Sequence, residues 1–270
     1  MTVKRRYTMC LLALLAVAAG LACKKVIQVD LHDASSRVVI EGEITNLPGT
    51  YQVKVTRSVP YTDDNNFPPV TGATVMVKDS INGITYPFGE VSPGIYATNQ
   101  FAGIPLHMYK LTVIADSQQY TAISTMPGTV HLDSVTFAVN TNFDGKKELN
   151  AVVNFQDPPG LGNYYQFIEY LNGRQVPNIF VFEDRLSDAR YIEQALYNDS
   201  SYLQKEDTLL MKMYCIDKSI YDYFFSLAQI VGSNGGFQSA SPANPNTNLT
   251  GGALGYFSAH TVNEEKLIVY

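Results

Sequence analysis

Between Arg37 and Thr125 the chain alternates short β-branched and aromatic runs with turn-forming residues, and this rhythm constrains its fold more than any other feature. The runs are Arg37 to Ile44, Gln52 to Arg57, Thr74 to Lys78, Ile84 to Phe88, Gly94 to Thr98, Tyr109 to Ala115 and Tyr120 to Thr125. Leu47-Pro48-Gly49, Phe67-Pro68-Pro69, Ile81-Asn82-Gly83 and Ser92-Pro93-Gly94 stand between them. Branched and aromatic side chains suit a pleated, half-buried surface, whereas Gly, Pro and Asn set turn dihedrals. Asn82-Gly83 predicts a hairpin with a type I′ turn, in which both central residues take positive φ. About seven short strands without a long amphipathic helix predict a β-sandwich over residues 35–127.

A second β-rich domain is expected over 128–270. Its strand candidates are Ser134 to Val139, Leu149 to Phe155, Tyr164 to Leu171, Ile179 to Glu183, Thr208 to Ile216, Leu254 to Ala259 and Leu267 to Tyr270. One main helix is expected over 217–231, because Ile220, Tyr223, Phe224, Leu227 and Ile230 recur at helical spacing. Asp217 or Ser219 can cap its start and Gly232 can end it. A weaker helical pattern covers Ser187 to Leu196. Ser233 to Gly252 reads as a long loop rich in Gly, Asn, Ser and Pro, and loops of that length are usually functional or mobile.

The chain starts with a different signal. Lys4, Arg5 and Arg6 precede an apolar run from Met9 to Ala22, and Cys23 follows. A basic start, a short apolar run and small residues before a cut site describe a signal peptide over 1–22. The run is shorter than the roughly 20 residues that cross a bilayer. A cysteine at its end is the mark of a bacterial lipobox, with Gly20 in place of the usual leucine. The thiol of Cys23 would then take diacylglycerol, and palmitate-type acyl chains would hold the protein to membrane lipid. Residues 23–34 read as the lipid-anchored tether. With Cys10 leaving in the leader and Cys23 acylated, Cys215 has no partner for a disulfide. On one face of a strand it reads as a buried thiol.

Charged residues make up 16% of the chain and the formal charge is -6. Loss of Lys4, Arg5 and Arg6 takes it to about -9. Such a balance argues against nucleic acid, which needs a basic stripe. The 18 Tyr and 13 Phe, with no Trp, suit strands and also surfaces that grip ligands.

No catalytic constellation is legible. His32, His107, His131 and His260 are scattered without ligand spacing, so no metal site is expected. No phosphate loop or nucleophile elbow occurs, and no cofactor is implied. Glu41 and Glu43 share a strand face. Asp63-Asp64-Asn65-Asn66 lacks the turn glycine and terminal glutamate of a calcium loop. The best candidate for ligand or partner contact is the loop leading into the last strands. Asn244, Asn246 and Asn248 offer amides, Gly251 and Gly252 permit close backbone approach, and Tyr256 and Phe257 offer aromatic faces. The alternative is a structural loop that closes the sandwich over the helix.

Several stretches resemble known domains. Pro69-Val70-Thr71-Gly72-Ala73-Thr74-Val75-Met76-Val77 and Ser92-Pro93-Gly94-Ile95-Tyr96 resemble strands of immunoglobulin-like and carboxypeptidase-regulatory-like sandwiches. Four segments together are similar to the Bacteroidota lipoproteins of domain-of-unknown-function family four-two-four-nine. They are Cys23 to Asp30; Val38 to Asn46; Ser58-Val59-Pro60-Tyr61 with Pro69 to Ala73; and Pro242 to Ala259. The resemblance implies a non-enzymatic outer-membrane lipoprotein, often encoded beside a TonB-dependent receptor and serving it as an accessory or ligand-binding partner in nutrient uptake. A structural or adhesive envelope role and, further off, an envelope hydrolase are the alternatives. Lys24 and Lys25 stand where surface-exported relatives often carry an acid, so the facing side, surface or periplasm, stays open. The phylum also O-glycosylates Asp-Ser/Thr-aliphatic sites. Ser80, Ser134 and Thr208 stand in that pattern.

Overall fold

The computed structural model describes residues 36–60, 64, 66–141, 145–197, 203–232 and 244–270. The leader, Cys23, the tether, Asp63, Asn65 and loop residues 233–243 lie outside the described residues. Residues 36–270 form one compact unit.

The fold is mainly β, with a single helix among the described residues. The first half supplies β1 (Val38–Thr45), β2 (Gln52–Arg57), β3 (Thr74–Asp79), β4 (Thr85–Ser92), β5 (Ile95–Thr98), β6 (Met108–Ala115) and β7 (Gln118–Thr125). The second supplies β8 (Ser134–Thr141), β9 (Lys147–Gln156), β10 (Tyr164–Leu171), β11 (Arg174–Gln175), β12 (Phe180–Glu183), β13 (Tyr191–Ala195), β14 (Thr208–Ile216), helix α1 (Lys218–Gly232) and β15 (Leu254–Ile268). The large sheet runs β11-β10-β14-β15-β1-β2-β5-β4-β3-β6-β7, with β12 also on β10, and a second sheet runs β13-β9-β8.

β15 joins the two halves. Its first residues pair in parallel with β1, from Val39 opposite Leu254 to Thr45 opposite His260. Its later residues pair antiparallel with β14, from Cys215 opposite Thr261 to Thr208 opposite Ile268. Just ahead of it, Leu249 bridges Ala122 on β7. The sheet of the first half therefore curls round until its far edge meets the segment leading into β15.

Two cores result. Alternate residues of the strands point inward, as a period of two requires. The first core holds Ile40, Ile44, Val53, Val77, Leu111 and Val113, and also Leu249, Ala253, Phe257 and Ala259. The second core, between the small sheet and the β10–β14 part of the large one, holds Val153, Phe155, Tyr165, Phe167, Met211 and Met213. Buried residues of 249–259 pack with the first core and not with the second. The first sandwich is incomplete without them.

Three expectations change. Leu254 to Ala259 and Leu267 to Tyr270 were expected as separate strands, yet β15 is continuous through polar Asn263, Glu264, Glu265 and Lys266. Cross-strand pairing with β14 holds this stretch extended, with Lys212 opposite Glu264. Ser187 to Leu196 is not helical: residues 191–195 are β13 on the edge of β9, where pairing overrides a weak local preference. At Asn82-Gly83 only Gly83 has positive φ. The Asp79 carboxylate accepts from the amides of Ile81 and Asn82 and shapes a longer turn. The paired positive φ of a type I′ turn occurs instead at Asp116 and Ser117, between β6 and β7.

Helix α1 begins as its sequence directs. Asp217 Oδ1 accepts from the Ile220 amide at 3.1 Å, the usual N-cap contact. Its Oδ2 accepts from the Ser124 hydroxyl and the Thr125 amide of β7. One carboxylate therefore both starts the helix and ties it to the first sandwich. Ile220, Tyr221 and Phe224 then pack on Ile216, Tyr164, Val181 and Tyr256.

Candidate functional site

The loop and strand singled out from the sequence divide in two. Asn248 belongs to the fold. Its Nδ2 donates to the Phe257 carbonyl at 2.7 Å and the Ile123 carbonyl at 3.2 Å, and its Oδ1 accepts from the Phe257 amide at 3.1 Å. It bridges β7 to β15, two strands that share no backbone ladder. Phe257 is fully buried in the first core, so it is not available to a partner. Gly251 and Gly252 both have positive φ and form a turn. The Gly252 carbonyl accepts from the Arg37 guanidinium at 2.7 Å. Tyr256 is half-buried, with its ring 4.8 Å from that of Tyr223 and 5.1 Å from that of Phe224. Asn244 and Asn246 are exposed, and the Asn246 amide donates to Ser226 Oγ of α1. Of the seven residues, only these two present free side-chain amides to solvent.

The glycosylation candidates also differ. Ser80 is exposed at the β3–β4 turn, while Ser134 and Thr208 are partly buried in β8 and β14. Asp79, beside Ser80, is fully buried and hydrogen-bonded to His107 Nδ1 at 2.7 Å.

The outer face of β1, β14 and β15 carries Glu43, Tyr214, Tyr256, Ser258 and His260, and Tyr214 and Tyr256 pack against α1. Ser258 Oγ and His260 Nδ1 lie 2.9 Å apart, and the His260 ring stacks on Tyr214 with centroids 4.3 Å apart. The distance suits a nucleophile and its base, but the chemistry does not. Burial holds the imidazole down to about 3, so it takes up no proton near neutral pH. Ser258 is 2% exposed. Glu43 is exposed to solvent at the edge of this face.

A cleft of about 330 Å³ lies where the 127–131 linker crosses the ends of β10 and β14. Pro127, His131, Pro158, Asn163, Tyr164 and Cys215 are among its walls. Small-molecule sites start at about 300 Å³, and this lining mixes apolar groups with the polar side chains of His131, Gln156 and Asn163. Burial pushes the Cys215 thiol up, away from the thiolate a nucleophile would need.

Next to the cleft three carboxylates converge. Oxygens of Asp157, Asp184 and Asp188 lie within 4.8 Å of one another, the first two buried and the third exposed. Burial raises the pKa of Asp157. Hydrogen bonds from the Tyr165 hydroxyl and the Ala189 amide oppose that, and the charges of Asp184 and Asp188 add to it. Asp184 accepts from the Gly162 amide and from Asn163, a cleft residue. Among the described residues this is the one group whose geometry would suit a hard cation, which prefers carboxylate oxygens. It would equally suit a shared proton. Nothing in the sequence marked it, because the three residues come from two separate loops and follow no ligand spacing.

No curated protein matches the chain. The family described as "Domain of unknown function (DUF4249)" matches residues 24–266, nearly the whole chain after Cys23. On that match the chain belongs to this family of unknown function.

Proposed function

We propose that the protein is a non-enzymatic lipoprotein of the outer membrane, held by acyl chains on Cys23, that serves a TonB-dependent receptor as an accessory or ligand-binding partner in nutrient uptake. The observation that carries the anchor is the junction at Cys23. The basic and apolar leader ends there, and the family match starts at the next residue, Lys24. No helix among the described residues is long and apolar enough to cross a membrane. The cleft of about 330 Å³ favours a small ligand with polar and apolar parts.

Two measurements test this. Cys23→Ala should abolish incorporation of labelled palmitate and leave the protein soluble or as uncleaved precursor. Each buried acyl CH₂ contributes about 0.8 kcal/mol, and two or more chains give stable anchoring. Gentle detergent extraction of outer membranes should then co-purify the parent with a β-barrel receptor. Normal processing and membrane retention of Cys23→Ala would sink the anchor. A lipidated protein that never co-purifies with a receptor would sink the partnership and favour a structural or adhesive role.

A further inference from the structure

Helix α1 does not stay on the sheet. Its inner stripe is Ile220, Phe224, Leu227 and Val231, spaced to lie on one face. Along that stripe exposure rises: Ile220 is 0% exposed, Phe224 and Leu227 are half-buried, and Val231 is 55% exposed. Phe225, on the neighbouring stripe, is 47% exposed. After Asp222 the helix carries no charged residue. Its final turns therefore present apolar surface that the sheet does not cover.

The registers show where that end lies. Asp217 is tied to Ser124, whose hydroxyl also accepts from the Ala259 amide. Tyr223 and Phe224 meet Tyr256, and Ser226 accepts from Asn246, ahead of β15. The helix thus runs down β15 toward its first residue, Leu254. Val231 lies about 10 Å beyond Phe224 at 1.5 Å per residue. Leu254 is level with Val39 at the start of β1, and Arg37 reaches the Gly252 carbonyl at the same level. The overhanging end of α1 and the point where the chain enters the fold from the tether are at one end of the molecule. The same end carries the β4–β5 turn with Val91, 63% exposed.

We infer that the C-terminal end of α1, with Phe225 and Val231, docks on the phospholipid surface to which the chain is tethered. The proposal rests on the lipid-anchor reading above. The thirteen residue steps from Cys23 to Ser36 span at most about 47 Å when extended, so the anchor holds this end, and not the far one, within that reach of lipid. An uncharged apolar helix end enters the headgroup and acyl boundary at little desolvation cost, to a depth of about 5–10 Å. A protein partner would more commonly be met by a patch with a polar, hydrogen-bonding rim, and the last two turns of α1 offer only Ser226 and Gln229.

The test uses the full lipidated chain in phosphatidylcholine vesicles. Single cysteines, Val231→Cys and, at the opposite end, Leu47→Cys, take an environment-sensitive fluorophore; buried Cys215 stays unlabelled. Spin-labelled lipid should quench the label at 231 about threefold or more above that at 47, as insertion by ~5 Å requires. Unchanged thermal unfolding would show that both variants fold. Equal quenching at the two positions overturns the proposal. So does a label at 231 that is shielded only when a barrel protein co-purifies, because the surface then belongs to the receptor. Intact mass identifies the separate failure: a chain without acyl groups refutes the anchor, and the same quenching contrast with added vesicles still decides the docking surface.

Discussion

Replacing Gly255 with alanine should be among the most damaging single-methyl additions in this fold. Gly255 lies in β15 opposite Ile40 of β1, with φ of 94°. A Cβ there would sit 2.1 Å from the Ile40 carbonyl oxygen and 2.9 Å from its carbonyl carbon. Carbon–oxygen contacts normally start near ~3.3 Å, so the strands would have to part by about 1 Å. The obstacle is backbone, and β2 holds Ile40 from the other side through its pairing with Val55. The positive φ alone costs about 1–2 kcal/mol for a residue with a Cβ. Opening the start of the parallel ladder forfeits two or three backbone hydrogen bonds at about 1 kcal/mol each. It also loosens the packing of Phe257. The total is about 4 kcal/mol or more, or roughly 10 °C in melting temperature for a unit of this size. Gly252→Ala is the control. Its φ is 79°, but nothing lies within 4 Å of an added Cβ, so only the dihedral cost of about 1–2 kcal/mol remains. Urea and thermal unfolding followed by circular dichroism would measure both. If Gly255→Ala lies within about 1 kcal/mol of Gly252→Ala, the close β1–β15 approach does not constrain the fold as argued.

The three loop asparagines should separate. Asn248→Ala loses three hydrogen bonds to backbone and should cost about 2–3 kcal/mol in urea unfolding, while Asn244→Ala and Asn246→Ala should stay within about 0.5 kcal/mol. Asp217→Ala removes the helix cap and the tie to β7 and should cost about 2 kcal/mol, with loss of helical ellipticity before the β signal on heating. His260 gives a pH signature. Its folded pKa is held down to about 3, below the ordinary value near 6.5. The unfolded chain therefore binds the proton first, and His260 contributes stability that is present above about pH 6.5 and lost as pH falls toward 3. The slope reaches at most about 1.4 kcal/mol per pH unit. His260→Gln should flatten that part of the stability profile, and an unchanged profile would show that the imidazole is not desolvated as described.

Much of the local structure was open to a reader of the sequence. The β2 and β14 boundaries follow from alternation, and α1 follows from its apolar spacing and Asp217, because these depend on neighbours a few residues away. The loop leading into β15 was visible as unusual composition, but its meaning was not. Asn248 could equally have faced a partner or the backbone of β7, and only the fold places Ile123 and Phe257 within its reach.

Local pattern alone was enough for the mainly β class of fold, for many of the strands, and for the helix with its cap. Only the tertiary structure decided that β15 completes the first sandwich, that Gly255 matters more than the glycines before it, and that Asp157, Asp184 and Asp188 converge beside a cleft. It also decided that the end of α1 is left uncovered where the chain enters β1. The physical reason is common to all four. Strand alternation and helix periodicity are written in adjacent residues, whereas the β1–β15 pairing joins positions more than two hundred residues apart, such as Val39 and Leu254. Nothing in either segment alone specifies its partner. The choice is made by the burial of both apolar faces in one core and by the backbone hydrogen bonds that only the assembled sheet can satisfy.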